Sequence, residues 1–226
     1  MPARSRRPQQ RSTETRKRLV DAACHEFALH GFSGASTRAI AQRADVAQSA
    51  IPFHFTTKEA LWKAAADALM ALMQEQLMSR ARGLEGVDVR TRTRLLVTEF
   101  VRFGATHPHF HRFMLQEGKA SSERLEWLVE NHIRGFMEIS IGGFRELEAD
   151  GVVLPAPPEE LMYMLIGAAT TRYTLAPEFE MITSKDAFDK AAIDAHAEAV
   201  VRLFFPQLVA EGSSPAGAAP AEGARP

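Results

Sequence analysis

The chain reads as all-α: about nine helices, with an N-terminal three-helix domain holding a helix-turn-helix and a helical bundle after it. Three observations predict this. Strand-like alternation is missing, and Ala, Leu, Glu, Arg and Met dominate. Apolar residues recur at helical spacing between clear start and stop signals.

Taken in order, residues 1–12 are rich in Pro, Arg and Gln with no apolar face, and are expected as a flexible basic arm. The first helix is expected from about Thr13 to His30, with Leu19, Ala22, Ala23 and Phe27 inward and Gly31 as its stop. Ser36 is an N-cap for a second helix over Thr37 to Ala44. A short third helix is expected over Ala47 to His54. Thr56 and Glu59 have capping-box spacing and open the fourth, which Gly83 and Gly86 break. A fifth spans Val89 to Thr106, stopped by His107-Pro108. A sixth spans His109 to Glu117 and a seventh Ser122 to Ala149. Pro155, Pro157 and Pro158 separate an eighth, Pro158 to Leu175, and the ninth runs Lys185 to Phe205 before Pro206. The domain division is then 13–57 and 58–206, and residues 207–226, small, polar and Pro/Gly-rich, are expected as a disordered tail.

The 226 residues, 46% hydrophobic and 24% charged, suffice for a small domain plus a larger one without covalent staples. A single cysteine, Cys24, rules out an intrachain disulfide and fits a reducing, cytoplasmic setting. The basic start lacks the apolar stretch of a secretory signal, and the longest apolar run, Leu161 to Ala169, is about half of a bilayer span, so no membrane partner is expected. The net charge of −1 is unevenly spread. Residues 1–63 hold eleven basic and five acidic side chains, 11 − 5 = +6, leaving −7 for the rest. A basic first quarter on an acidic body points to a polyanion partner for that quarter, and a solvated basic tail is the plainer alternative.

Residues 37–55, TRAIAQRADVAQSAIPFHF, place two short helices about Ala44-Asp45-Val46. Ile40, Ala41, Ala44, Val46, Ile51 and Phe55 pack the pair inward, leaving Gln48, Ser49 and Ala50 outward, where a helix-turn-helix meets base edges. Asp45 suits the turn because Asp tolerates a left-handed backbone.

The segment from Thr15 to Leu61 resembles the DNA-binding domain of the TetR family of bacterial regulators. The resemblance rests on TRKRLVDAACHEFALHGFSGAST, RAIAQRADV, the aromatic run Phe53-His54-Phe55, and TTKEAL with Lys58-Glu59; HAEAVVRLFFP extends it loosely to residue 206. It implies a dimer on a double-stranded palindromic operator, repressing transcription until a small apolar or amphipathic effector releases it. Ser36, Thr37 and Arg38 would then meet phosphate, as would Lys58. Gln48 and Ser49 would contact bases or nearby phosphates, with Ala50 beside them. His54 would lie against the backbone, and Arg4, Arg6, Arg7 and Arg11 could follow the duplex. Pro52 stands where the family carries an aromatic residue, and Asp45 where it carries Gly, so the operator sequence is not readable.

The resemblance further implies dimerisation through the last two helices, for which Ala192, Ala195, Ala199, Val200 and Leu203 offer a stripe permitting close approach. Ordinary intrachain core is the alternative for that stripe. An apolar pocket is expected among Phe100, Phe103, Phe110, Phe113, Met114, Trp127, Phe136, Met137, Met162 and Tyr163, residue types that suit an adaptable site.

No catalytic residue, metal or cofactor is expected. The run HPHFH (His107, His109, His111), with His132, invites a metal, but residues two apart on a helix face different ways. There is no Gly-rich phosphate loop, nucleophile elbow or CxxC. Two alternatives stand: a helical interaction module with a non-specific basic arm, and a histidine-metal enzyme.

Overall fold

The computed structural model describes residues 6–153 and 155–210, and among them every regular element is helical. The 211–226 part of the expected tail, and Arg4, lie outside the described residues.

Helix α1 (Arg6–Gly34) begins well ahead of Thr13, so the expected arm is helical from Arg6 on. Gln, Arg and Glu favour helix even without an apolar face, and Pro8 falls in the first turn, where no backbone donor is needed. Gly31, at φ 66°, breaks α1 and redirects Phe32. α2 (Thr37–Arg43) is capped by Ser36, whose Oγ accepts the Ala39 N–H at 3.0 Å. α3 (Ala50–His54) opens later than expected: residues 47–49 form tight turns closed by Ala50 N–H to Ala47 O (2.9 Å) and Ile51 N–H to Gln48 O (3.1 Å). Pro52 lies in its first turn and so removes no helical bond. α4 (Lys58–Arg82) is capped by Thr57, not Thr56, with Oγ1 accepting Ala60 N–H at 3.0 Å.

Asp88 caps α5 (Val89–Thr106), and α6 (Pro108–Gly118) follows. The expected seventh helix is divided. α7 (Glu123–Leu128) passes through a π-turn over Val129–Ile133 into α8 (Arg134–Ala149). After α9 (Pro158–Thr174) comes an unexpected α10 (Ala176–Thr183), ended by Ser184 at φ 54°. α11 (Lys190–Phe204) therefore starts late, capped by Asp189, and α12 (Gln207–Ala210) closes the described chain. Leu175 ends α9 as expected, and Pro177 in the first turn of α10 starts another helix.

α1 packs on α6 and α4, while α2 and α3 lean on α1. α5 forms the centre of the bundle, against α4, α9 and α11, and α8 packs on α9. One continuous apolar core runs from Leu19 and Ile40 through Trp62 and Phe113 to Phe144 and Phe205. The small domain is thus fused to the bundle rather than tethered to it.

Candidate functional site

Two α1 side chains hold the helix-turn-helix in place. Arg18 donates to the Asp45 carbonyl at 2.7 Å and to its Oδ2 at 3.0 Å. Asp45 sits at φ 52°, the left-handed turn its residue type tolerates. Arg43 donates to the buried Glu26 carboxylate at 2.7 Å, tying α2 to α1. With Ile40, Ala41, Ala44, Ile51 and Phe55 buried beneath, Gln48 and Ser49 remain exposed and Ala50 half-buried. A recess of ≈ 550 Å³ joins Thr37, Gln48, Ser49, Pro52, Thr56 and Lys58, so residues from three helix starts share one face.

Ser36 borders that face, its oxygen already used as the α2 cap. Arg38 is exposed, and His54 is half-buried, edge-on to Phe53 at 5.0 Å. Lys58 is less free than expected. Its ammonium lies 4.8 Å from the Phe32 ring centroid, and partial burial, then the nearby Arg124 charge, lower its pKa. Phe53, not among the expected contacts, is 78% exposed beside them. Its place in the aromatic run was the available signal for a role at this face.

The second feature is an apolar cavity of ≈ 380 Å³ between α4, α5, α8 and α9, also lined by Phe205. Leu77, Val97, Phe100, Phe144, Met162 and Leu165 form its buried wall. The polar residues among its lining are Arg92, Thr93, Ser140 and Glu146. The Thr93 and Ser140 hydroxyls donate to carbonyls of their own helices, Val89 O and Phe136 O at 2.8 and 2.9 Å, and ask nothing of a ligand.

Of the ten expected pocket residues, only Phe100, Phe136 and Met162 line this cavity. Phe103, Phe110 and Phe113 are buried core, and Phe113 stacks on Trp62 at 5.4 Å. Met114, Trp127 and Met137 are half-buried against that core, whereas Tyr163 is 67% exposed. Helix rotation decides membership, and residue type alone had no access to it. The other lining residues lie on the C-terminal half of α4, the N-terminal half of α5, and α8, with Leu165 of α9 and Phe205 just past α11.

Residues 19–65 match the family model of bacterial regulatory proteins, tetR family. This is a TetR-family domain. Among solved structures, SCO4942 from Streptomyces coelicolor is similar at 23% identity, covering 84% of this chain and 98% of its own, with a TM-score of 0.61. AibR, in complex with isovaleryl coenzyme A and operator DNA, covers 85% and 98% at 16% identity, TM-score 0.69. FadR from Bacillus subtilis, in complex with stearoyl-CoA, covers 82% and 97% at 18% identity, TM-score 0.59. At these identities the likeness is one of fold, and it extends past the TetR-family domain through the bundle. No curated protein matches the sequence.

Beyond the TetR-family domain, α9 and α11 present an unpartnered face. Tyr163 and Met164 are exposed on α9; Ala195, Ala199 and Leu203 are exposed at four-residue spacing on α11. Val200 of the expected stripe is instead buried inside its own chain. The histidines diverge. His111 is buried among Phe100, Phe103 and Phe110, and the His109 ring lies tilted against His25 of α1 at 4.6 Å. Among the described residues no group of three or more His, Cys, Asp or Glu converges on a metal position, and no helix is long and apolar enough to cross a membrane.

Proposed function

We propose that the protein is a DNA-binding transcription regulator, a repressor released by an amphipathic small molecule. The observation that carries this is the joint presence of two built sites in one chain. One is an exposed reading face (Gln48, Ser49, Lys58, Phe53) on a clamped helix-turn-helix. The other is a separate apolar cavity whose Thr93 and Ser140 hydroxyls are satisfied within their own helices. Gln and Ser at the start of α3 are suited to base edges, with the Thr37 hydroxyl and Lys58 suited to phosphate.

The exposed α9–α11 face supports a dimer, since small residues at four-residue spacing allow close helix approach. Two reading heads then meet half-sites roughly 34 Å apart on a palindromic operator. The effector class follows from the cavity and from what AibR and FadR hold, isovaleryl coenzyme A and stearoyl-CoA. A volume of ≈ 380 Å³ lies at the lower end of the range for ligand sites, about 300–1,000 Å³. We therefore assign a medium-length acyl chain, with Arg92 at the cavity lining available to an anionic head.

The test is retention of DNA flanking the protein's own gene against random DNA, with acyl-CoAs from isovaleryl to stearoyl added in series. Salt-sensitive, preferential retention that a medium-chain acyl-CoA abolishes is expected. Equal retention of random DNA would overturn the regulator reading; preference without any acyl-CoA effect would remove this effector class alone.

A further inference from the structure

The ring of Phe32, just past the break at Gly31, is held between two cations. The Lys58 ammonium lies 4.8 Å from its centroid and the Arg124 guanidinium 3.9 Å. Lys58 belongs to the candidate DNA face, whereas Arg124 belongs to α7 in the bundle. Arg124 is fixed in turn by Glu117, whose carboxylate is 4% exposed and accepts its Nε–H at 3.2 Å. The same guanidinium lies 5.8 Å from the Trp62 ring on α4.

The rest of α7 grips α4 as well. Trp127 meets Trp62 edge-on at 5.9 Å and takes the Lys63 ammonium at 5.3 Å. In the π-turn that follows, His132 Nε2 is 2.8 Å from Asp67 of α4. The π-turn leads directly into α8, whose Phe136, Ser140, Gly143 and Phe144 form one wall of the apolar cavity. A π-turn holds one residue more than an α-turn, and such turns are frequent at functional sites.

We infer that Arg124 is the coupling residue of the molecule: it ties the Phe32–Lys58 pair at the DNA face to α7 and, across the π-turn, to the cavity wall on α8. The inference rests on the regulator reading above and names its transmission. An occupant that pushes on α8 shifts the helix at the π-turn. Arg124 then carries the shift to Phe32 and to the position of the Lys58 ammonium. Arg124 touches neither DNA nor effector and acts by positioning.

The test compares wild type, Arg124→Lys and Arg124→Met, using DNA from the flank of the gene and decanoyl-CoA as the cavity probe. The quantity read is the ratio of DNA affinities without and with decanoyl-CoA. A merely structural role would weaken both affinities together and leave that ratio alone. Couplings between sites in proteins are typically about 5- to 150-fold. The wild-type ratio is expected within that range, the Arg124→Met ratio below about twofold, and Arg124→Lys, which keeps a cation over Phe32, between them.

Losing Arg124 leaves Glu117 buried without its partner, so Arg124→Met can fail to fold. The pair Glu117→Gln with Arg124→Met leaves no uncompensated carboxylate and is expected to give the same low ratio. Trp62 and Trp127, the two tryptophans of the chain, both lie in this joint. Decanoyl-CoA should therefore change wild-type tryptophan emission. A full wild-type ratio in a folded charge-free variant, or effector binding with unchanged emission, overturns the inference and leaves the regulator reading standing. A wild-type protein whose DNA affinity ignores decanoyl-CoA overturns the decanoyl-CoA effector assignment and this inference with it.

Discussion

Gly143 offers a substitution that separates stability from effector binding. It lies within α8 and lines the cavity, and a Cβ built on it meets no atom within 4 Å. Leucine there should enter open space. Replacing glycine inside a helix gains up to about 0.8–1.0 kcal/mol of helix propensity, which for a chain of this size raises Tm by roughly 2–4 °C. The same side chain occupies room the effector needs. Each methylene kept out of apolar surroundings costs about 0.8 kcal/mol, so displacing about three costs ~2.4 kcal/mol, roughly fiftyfold in Kd. Gly143→Leu should thus melt higher, bind decanoyl-CoA about fiftyfold more weakly and lose less for isovaleryl-CoA. Calorimetric titration with both ligands and a thermal scan measure this. Unchanged decanoyl-CoA affinity in the stabilised variant would refute placement of the chain beside Gly143. A lower Tm would refute the claim of open space.

Three further outcomes are expected. Replacing Gln48 and Ser49 together with Ala should cost at least about 1 kcal/mol of preference for operator over random DNA, the worth of one good base contact, while salt-sensitive binding persists. Unchanged preference in competition binding would favour the interaction-module alternative. Arg43→Ala strands the Glu26 carboxylate, whose side chain is 8% exposed, and should cost about 1–3 kcal/mol in a denaturant titration, less if His30, 3.8 Å away, compensates. The third concerns pH. Burial among three phenylalanines lowers the His111 pKa to about 4 from 6.5. Above pH 6.5 both folded and unfolded imidazoles are neutral. As pH falls toward 4 only the unfolded chain takes the proton, so stability is lost over that window, by up to about 1.4 kcal/mol per pH unit. Its Nε2 has no hydrogen-bond partner to lose, so His111→Phe should flatten that part of the stability–pH curve; an unchanged slope would show that His111 is not the group responsible.

Much of the fold was legible because helix signals are local. Ser36, Asp88-Val89 and His107-Pro108 act on backbone groups within one turn, and α5 falls on its expected bounds. Asp45 adopts the left-handed backbone for a reason internal to one residue, and Gln48 and Ser49 face outward because the apolar positions of the pair leave them no other direction. Where two local signals competed the reading slipped by a residue, as with Thr56 and Thr57. Where a segment lacked an apolar face, as in residues 6–12, its helix went unseen.

Only packing could decide the rest. Phe100 and Phe103 lie three residues apart on α5, and one lines the cavity while the other is buried in the core. Their difference is set by how α5 is rotated against α4, α8 and α9, a relation among residues far apart in the chain. The meeting of Phe32, Lys58, Glu117 and Arg124 is of the same kind. The sequence by itself determined which segments are helical and which face of the first domain stays wet, since both follow from chemistry within a few residues. The tertiary structure alone decided where the cavity opens and which cations share a ring, because those depend on distances between helices that no local pattern encodes.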